Sequence, residues 1–297
     1  MVYTEISRNK RRTALFITFF LVLIIGLGWF FSYYVDAPLL LPIAVGFSTL
    51  MSLISYYFSD KIVLAMSRAR EIKKSDDPEL YNVVENLAIT AGLPAPKVYL
   101  IQDSAPNAFA TGRDPKHAVV AITTGLRSKL TKQELEGVMA HELSHIGNYD
   151  IRLSTIIVIL VGIITLLADW MLRISFHGRR RSNEGGGILI LIGLVFALLS
   201  PIAAMLIQLA ISRRREYLAD ASGVLLTRYP QGLASALEKI AADSEPLEVA
   251  NKATAHLYII NPLKEHSGRD RIGWFAGLFQ THPPINERIA KLRQMNF

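Results

Sequence analysis

The 297-residue sequence contains no cysteine. This absence excludes disulfides, zinc sites built from thiolates and cysteine nucleophiles. Charged residues are also scarce, since they make up 19% of the chain against about 25% in a typical soluble domain. Any metal site must therefore use histidine, aspartate or glutamate, and the shortage of charge points to long apolar segments.

Two apolar runs near the start of the chain predict a membrane hairpin. They cover residues 14–31 and 38–58, and a membrane-spanning helix needs about 20 such residues. Basic residues lie before the first run and after the second, whereas the connector between them has none. Because lysine and arginine favour the cytoplasmic side of a membrane, we expect residues 1–58 to form a hairpin with both ends in the cytoplasm. A cleaved signal peptide is the alternative, and we see no small-residue cleavage site that would favour it.

Two further apolar runs predict a second hairpin at residues 153–211. Its spans are placed at about 153–170 and 188–211, although the first is short for a span. Two full spans would leave the arginines of the connector outside, against the usual preference. A hairpin that enters and leaves from the cytoplasmic side would remove this conflict. We favour two full spans, because the three arginines at 213–215 hold the far end in the cytoplasm.

The remaining segments, 59–152 and 212–297, predict a water-soluble domain built from two separate parts of the chain. A helix opens at Asp77-Pro78, where an acidic cap precedes a proline, and a closing helix begins at Pro283-Pro284. Segments rich in valine, isoleucine and tyrosine predict strands, and these lie at 97–102 and 118–123. We therefore expect a mainly α fold with a small β-sheet, joined to a four-helix membrane anchor.

The segment His141-Glu142-Leu143-Ser144-His145 carries the strongest chemical signal. Positions four apart lie on one face of a helix, so both histidines can bind one zinc ion. An independent signal places them on a helix, because Thr131 and Glu134 match the pattern of a capping box. Glu142 can take a proton from the water that attacks a peptide carbonyl, while zinc acidifies water and polarises the carbonyl. Two unrelated surface histidines are the alternative.

Catalytic zinc sites have three protein ligands and one open position, and Glu216 is the best candidate for the third ligand. Asp220 lies one helical turn after it and can accept a hydrogen bond from a ligand imidazole, which fixes the tautomer of that ring. The alternative is that Glu216 pairs with Arg213 or Arg215 on a solvated face.

Several motifs occur together along the chain: HELSH at 141–145, EYLAD at 216–220, four apolar runs, Asn107-Ala108-Phe109 and Thr281-His282-Pro283-Pro284. This set, which covers essentially the whole chain, resembles the HtpX family of membrane zinc peptidases, relatives of the eukaryotic CaaX-prenyl endoprotease. The resemblance implies that His141, His145 and Glu216 are the zinc ligands. It also implies that Glu142 is the catalytic residue of a zincin-type domain.

The same resemblance implies a substrate class and a location. The chain would be an endopeptidase that degrades misfolded or damaged membrane proteins. It would act at a bacterial cytoplasmic membrane, with the active site facing the cytoplasm. Its partners would be those substrates and the lipid bilayer.

Four further positions have more than one interpretation. His282 can donate a hydrogen bond to the oxyanion of the reaction intermediate, or cap a helix. Asn107-Ala108-Phe109 can form a sheet edge that pairs with extended substrate, or a packed loop. Arg288 is interpreted as an ordinary surface charge, although it could anchor the closing segment through a carboxylate. Asp150 is expected to cap the histidine helix or to start the third span, with no catalytic role.

Both ligand segments lie close to the second hairpin in sequence. His145 lies seven residues before Arg152, and Glu216 lies five residues after Ile211. At about 1.5 Å per helical residue, the ligands should lie roughly 8–12 Å from the bilayer edge. We expect the ligand helices to continue directly into the hairpin.

Two other functions stay open on the sequence alone. A processing peptidase with one dedicated membrane substrate would use the same site, and a narrow cleavage pattern would favour it. A non-catalytic membrane scaffold with structural zinc would need a fourth protein ligand, for which His282 is the obvious candidate. Nucleic acid binding is not indicated, because no recognition motif accompanies the net charge of +7.

Overall fold

The computed structural model describes the protein at residues 2–34, 36–178, 213–243, 245–248, 257–260 and 283–296. The described part is mostly helical, as predicted. Its helices, α1 to α10 in chain order, are Val2–Tyr34, Leu40–Tyr57, Ser59–Met66, Pro78–Ala91, Thr124–Lys129, Lys132–Gly147, Asp150–Gly178, Arg213–Thr227, Pro230–Ala242 and Ile285–Arg293.

One small mixed sheet accompanies these helices. Its strands, β1 to β4, are Arg70–Glu71, Lys97–Ile101, Ala108–Gly112 and Ala118–Thr123, and their order across the sheet is β1-β2-β4-β3. The two predicted strands, β2 and β4, form the parallel pair at its centre. The outer strands are antiparallel to their neighbours. β3 therefore lies at an edge of the sheet, where it contacts α6 and α7.

Local capping signals begin two of the helices where the sequence predicts. The Asp77 carboxylate accepts a hydrogen bond of 3.0 Å from the backbone nitrogen of Leu80 at the start of α4, and Gly92 ends that helix with φ of 66°. Thr131 and Glu134 form the predicted capping box at the start of α6. These bonds satisfy backbone groups that a helix end leaves without partners.

Two helices of the described chain are long and apolar enough to cross a membrane, Ile6–Tyr33 within α1 and Leu40–Tyr57, which is α2. They overlap the two predicted apolar runs at 14–31 and 38–58. The third apolar run lies within the single helix α7, whose first half packs against α1. The predicted fourth span, 188–211, lies outside the described residues.

The histidine helix does not continue straight into the third apolar run, contrary to our expectation. α6 ends at Gly147 and α7 begins at Asp150, and the two helices differ in direction by 81°. Tyr149 lies at the break with φ of 60°, a left-handed conformation that few residues other than glycine adopt. The chain thus turns sharply directly after the second histidine.

Close backbone contacts position α8 and α9 against α6. A Cβ atom at Gly223 would lie 3.0 Å from the backbone nitrogen of His141, and one at Gly137 would lie 2.6 Å from the backbone nitrogen of Leu233. A side chain at Gly137 would force the two backbones apart, and one at Gly223 would make a contact tighter than most that Cβ atoms form. Leu135, Val138 and similar side chains complete the buried core around these contacts.

Candidate metal centre

Three predicted ligands from two distant parts of the chain lie together between α6 and α8. The Nε2 atoms of His141 and His145 are 3.2 Å apart. The Glu216 carboxylate oxygens lie 3.7 Å from Nε2 of His141 and 3.6 Å from Nε2 of His145. Zinc bonds of about 2.0–2.2 Å in tetrahedral geometry place ligand atoms roughly 3.3–3.5 Å apart. The donor atoms and their spacing therefore fit one zinc ion.

Each histidine presents its other ring nitrogen to a carboxylate. Nδ1 of His141 lies 2.9 Å from an oxygen of Asp220, and Nδ1 of His145 lies 3.0 Å from an oxygen of Asp150. A proton on Nδ1 leaves the lone pair of Nε2 for a metal. Asp220 therefore lies within hydrogen-bonding distance of a candidate ligand. Asp150 has a role that sequence reasoning missed, although an acidic residue five positions after a ligand was an available signal.

Arg288 is buried, so its interpretation as an ordinary surface charge was wrong. It is 2% exposed, and its guanidinium donates two hydrogen bonds of 2.9 and 2.7 Å to the carboxylate of Asp220. A third bond of 3.1 Å goes to the backbone carbonyl of Ile259. The guanidinium also lies 3.8 Å from Glu216. Arg288 therefore joins α10 to both acidic residues of α8.

The electrostatics of the site follow from its burial. Burial raises the pKa of Glu142 to about 7, although the charge of His145 opposes the shift. Burial also disfavours the ionised form of Asp220, but the charges and hydrogen bonds of Arg288 and His141 together outweigh this effect and lower the pKa of Asp220 to about 2. Asp220 therefore stays ionised and can hold the proton of His141.

Two opposing effects act on His145. Burial lowers its pKa, but the hydrogen bond to Asp150 and the charge of Glu216 together raise the pKa of His145 to about 9. A cation at Nε2 competes with that proton, because metal ligands bind in their deprotonated form. The carboxylates that raise the pKa of His145 also attract the cation.

Glu142 lies beside the three candidate ligands without belonging to the group. Its side chain is buried at 2% exposure, and its carboxylate accepts a hydrogen bond from the backbone N–H of Ala110 in β3. Within the described residues, His141, His145 and Glu216 form a group of three side chains that could hold a metal ion. Three ligands with a glutamate alongside are typical of a catalytic metal site that keeps one position open.

The predicted substrate edge is a strand, but its first residues are already occupied. The side chain of Asn107 donates to the carbonyl of Ile260 at 2.9 Å, and the carbonyl of Ala108 accepts from the backbone nitrogen of Ile259 at 2.9 Å. Phe109 is fully buried and packs edge-on against Tyr258. The three residues therefore pack against the segment 257–260. His282 lies outside the described residues.

The site has the composition of a metallopeptidase site: a pair of histidines on one helix, a carboxylate from a second helix and an adjoining buried glutamate. The chain that carries it also has helices that can span a membrane. The model of "Peptidase family M48" matches residues 74–296. The chain is 47% identical over 298 residues to "Protease HtpX homolog" of Tropheryma whipplei (strain Twist), covering 99% of each. It is 46% identical over 294 residues to the protein of that name from Dictyoglomus thermophilum, covering 99% of the chain and 94% of the relative.

A solved structure, the crystal structure of S. mikatae Ste24p, is similar at 20% identity with a TM-score of 0.48, covering 97% of this chain and 67% of that one. The family assignment rests on the sequence matches. The chain belongs to peptidase family M48 and groups with the HtpX proteases within it. It is a metalloprotease.

Proposed function

We propose that the protein is a zinc-dependent endopeptidase in which His141, His145 and Glu216 bind the metal and Glu142 is the general base. The observation that carries the proposal is the convergence of the three donor side chains within 4.8 Å of one another, next to a buried glutamate from the same helix. A structural zinc site would have no need of that glutamate.

Each residue of the site then has a chemical role. A bound zinc ion supplies Lewis-acid chemistry, in which it acidifies water and polarises the peptide carbonyl. Glu142 accepts the proton of the attacking water and delivers it to the leaving amine. Asp220 and Asp150 hold the two imidazoles in the tautomer that leaves Nε2 free to bind. His282 is proposed to donate a hydrogen bond to the developing oxyanion.

The sheet edge beside the site is proposed to pair with extended substrate. Asn107, Ala108 and Phe109 begin this edge. Because the carbonyl of Ala108 bonds Ile259, substrate that pairs at Ala108 must displace that contact. The next residue with the same orientation, Ala110, directs its N–H to Glu142. Substrate on this edge would therefore pass the proposed base.

The proposed substrates are misfolded or damaged membrane proteins of a bacterial cytoplasmic membrane. The basic flanks of α1 and α2 favour cytoplasmic ends for this hairpin, so the site would face the cytoplasm. A second hairpin at 153–211 would complete a four-helix anchor. The soluble domain would then combine 59–152 with 212–297, and the metal would join the two parts.

Proteolysis of an unfolded casein by the purified, detergent-solubilised chain tests the proposal. We expect cleavage with added zinc, loss of cleavage after treatment with a chelator, and recovery when zinc is restored, because the ligands alone cannot polarise the carbonyl. A chain that binds zinc but cleaves no casein would favour the processing peptidase with a dedicated substrate or the scaffold. Cleavage that persists after the metal is removed would exclude the proposed chemistry.

A further inference from the structure

A buried polar cluster links the first membrane helix to the metal centre. Asn9 of α1 is 1% exposed. Its side-chain nitrogen donates a hydrogen bond of 2.6 Å to Oδ1 of Asp150 and one of 3.0 Å to the carbonyl of Asn148. The other carboxylate oxygen of Asp150 accepts from Nδ1 of His145 at 3.0 Å. One amide from a helix more than a hundred residues earlier thus contacts the carboxylate that holds a ligand.

The position of this cluster matters because the chain turns there. Asn148 and Asp150 flank the break between α6 and α7, directly after the second histidine. The amide of Asn9 bonds both sides of the break at once, one bond to the end of α6 and one to the start of α7. These two bonds lie where they can restrain both the direction of α7 and the orientation of the Asp150 carboxylate.

The cluster also reaches the helix of the third ligand. Nε of Arg215 lies 3.6 Å from the same oxygen of Asp150 that Asn9 contacts, and Arg215 directly precedes Glu216. Asp150 is therefore bonded or paired on three sides, by α1, α6 and α8. A carboxylate held from several sides keeps its orientation, and an imidazole bonded to it keeps its own.

One of the two polar atoms of the Asn9 amide has an unfavourable environment. Its Oδ1 is buried with no hydrogen-bond partner among the described residues, and a buried polar atom without a partner is unfavourable. An apolar side chain of similar size would remove this unpaired atom, but it would also remove the hydrogen bonds that Asn148 and Asp150 accept from Asn9. What the amide adds is the pair of bonds to Asn148 and Asp150.

We propose that Asn9 is a positioning residue of the metal centre, which holds His145 in its metal-binding orientation through Asp150. The inference rests on the proposed function in taking His145 as a ligand. The first membrane helix is then a component of the metal site as well as an anchor. Asp150 bonds the ligand His145 directly, and Asn9 acts on His145 only through its bond to Asp150.

The test is the zinc affinity of the full-length, detergent-solubilised chain, measured by competition with a chromogenic chelator. Removal of an outer partner of a ligating histidine typically weakens metal binding about 10–100-fold. We expect Asp150→Asn to lie in this range, and Asn9→Leu to lie near its lower end, about tenfold. The visible spectrum of the Co²⁺-loaded variants should shift as well, because it reports ligand geometry.

Thr13→Val is the matched control. Thr13 is one turn from Asn9 on α1, is also buried at 3% exposure, and its hydroxyl donates to the carbonyl of Asn9 in its own helix. It should bind zinc like the wild type. If Asn9→Leu binds zinc and Co²⁺ like Thr13→Val while Asp150→Asn is weakened, Asn9 has no positioning role. If the zinc affinity of Asp150→Asn also equals that of the wild type, the contacts from Asn9 through Asp150 to His145 have no effect on metal binding.

The affinity measurement is independent of proteolysis, so the two proposals fail separately. If the wild type and the variants all cleave casein and all bind zinc equally well, only the role of Asn9 is overturned. A different result would separate them the other way. If the wild type binds zinc but cleaves no casein, and Asn9→Leu binds zinc more weakly than the wild type, the positioning role is supported and the endopeptidase is not.

Discussion

Glu142→Gln is expected to lose casein hydrolysis about 10²- to 10⁴-fold, the usual contribution of a positioned general base. Glutamine keeps the size of the side chain and can still interact with the backbone of Ala110, but it cannot accept the proton of the attacking water. Because Glu142 is not one of the three candidate ligands, the variant should still bind zinc. The measurement is the initial rate of cleavage at saturating zinc, together with metal content.

Glu136→Gln provides the matched control for this variant. Glu136 is on the same helix, but its side chain is 36% exposed and its ion pair with Lys132 is long, at 3.9 Å. Its activity should equal that of the wild type. A Glu142→Gln protein that cleaves casein at more than about a tenth of the wild-type rate would show that another group accepts the proton.

Arg288→Met is expected to lower the free energy of unfolding by about 3–5 kcal/mol, the usual effect of removing one partner of a buried ion pair. The methionine fills much of the space, but it leaves the Asp220 carboxylate with His141 as its one remaining partner among the described residues. The bond to Ile259 is lost as well, so the segment 257–260 should loosen. Chemical denaturation after zinc removal measures the effect without a contribution from metal binding.

Arg293→Met, on the same helix, separates burial from loss of charge. The side chain of Arg293 is 56% exposed and pairs with Glu238 at 2.6 Å, and exposed pairs of this kind contribute about 0–1 kcal/mol. The Arg288 variant should therefore be the less stable of the two by a wide margin. Equal stabilities would mean that the pair of Arg288 with Asp220 contributes no more than a surface contact.

The elements that sequence could predict are those whose signals are local. The cap at Asp77, the capping box at Thr131 and the histidine spacing each lie within a few residues, and all three are present in the structure. The sequence left β3 open between a sheet edge and a packed loop, because its sequence, AFATG, is rich in small residues with weak strand preference. Its pairing with β4 and its burial against α6 determine its conformation instead.

Features that depend on contacts between distant residues could not be predicted from local sequence patterns. Arg288 has the sequence surroundings of a surface helix, and only the fold brings it to Asp220, 68 residues earlier. The contact of Asn9 with Asp150 spans 141 residues, so no local pattern indicated it. The sharp turn after α6 does have a local signal in Gly147 and Asn148, but the apolar run resumes so soon that the pattern also fits a continuous helix.

The most direct test of the central claim is the zinc affinity of Glu216→Ala compared with the wild type in the full-length protein. Because Glu216 of α8 completes the site that the two histidines of α6 begin, the wild type should bind a single zinc ion and the variant should bind it far more weakly. A Glu216→Ala chain that retains wild-type zinc affinity would contradict the three-ligand site.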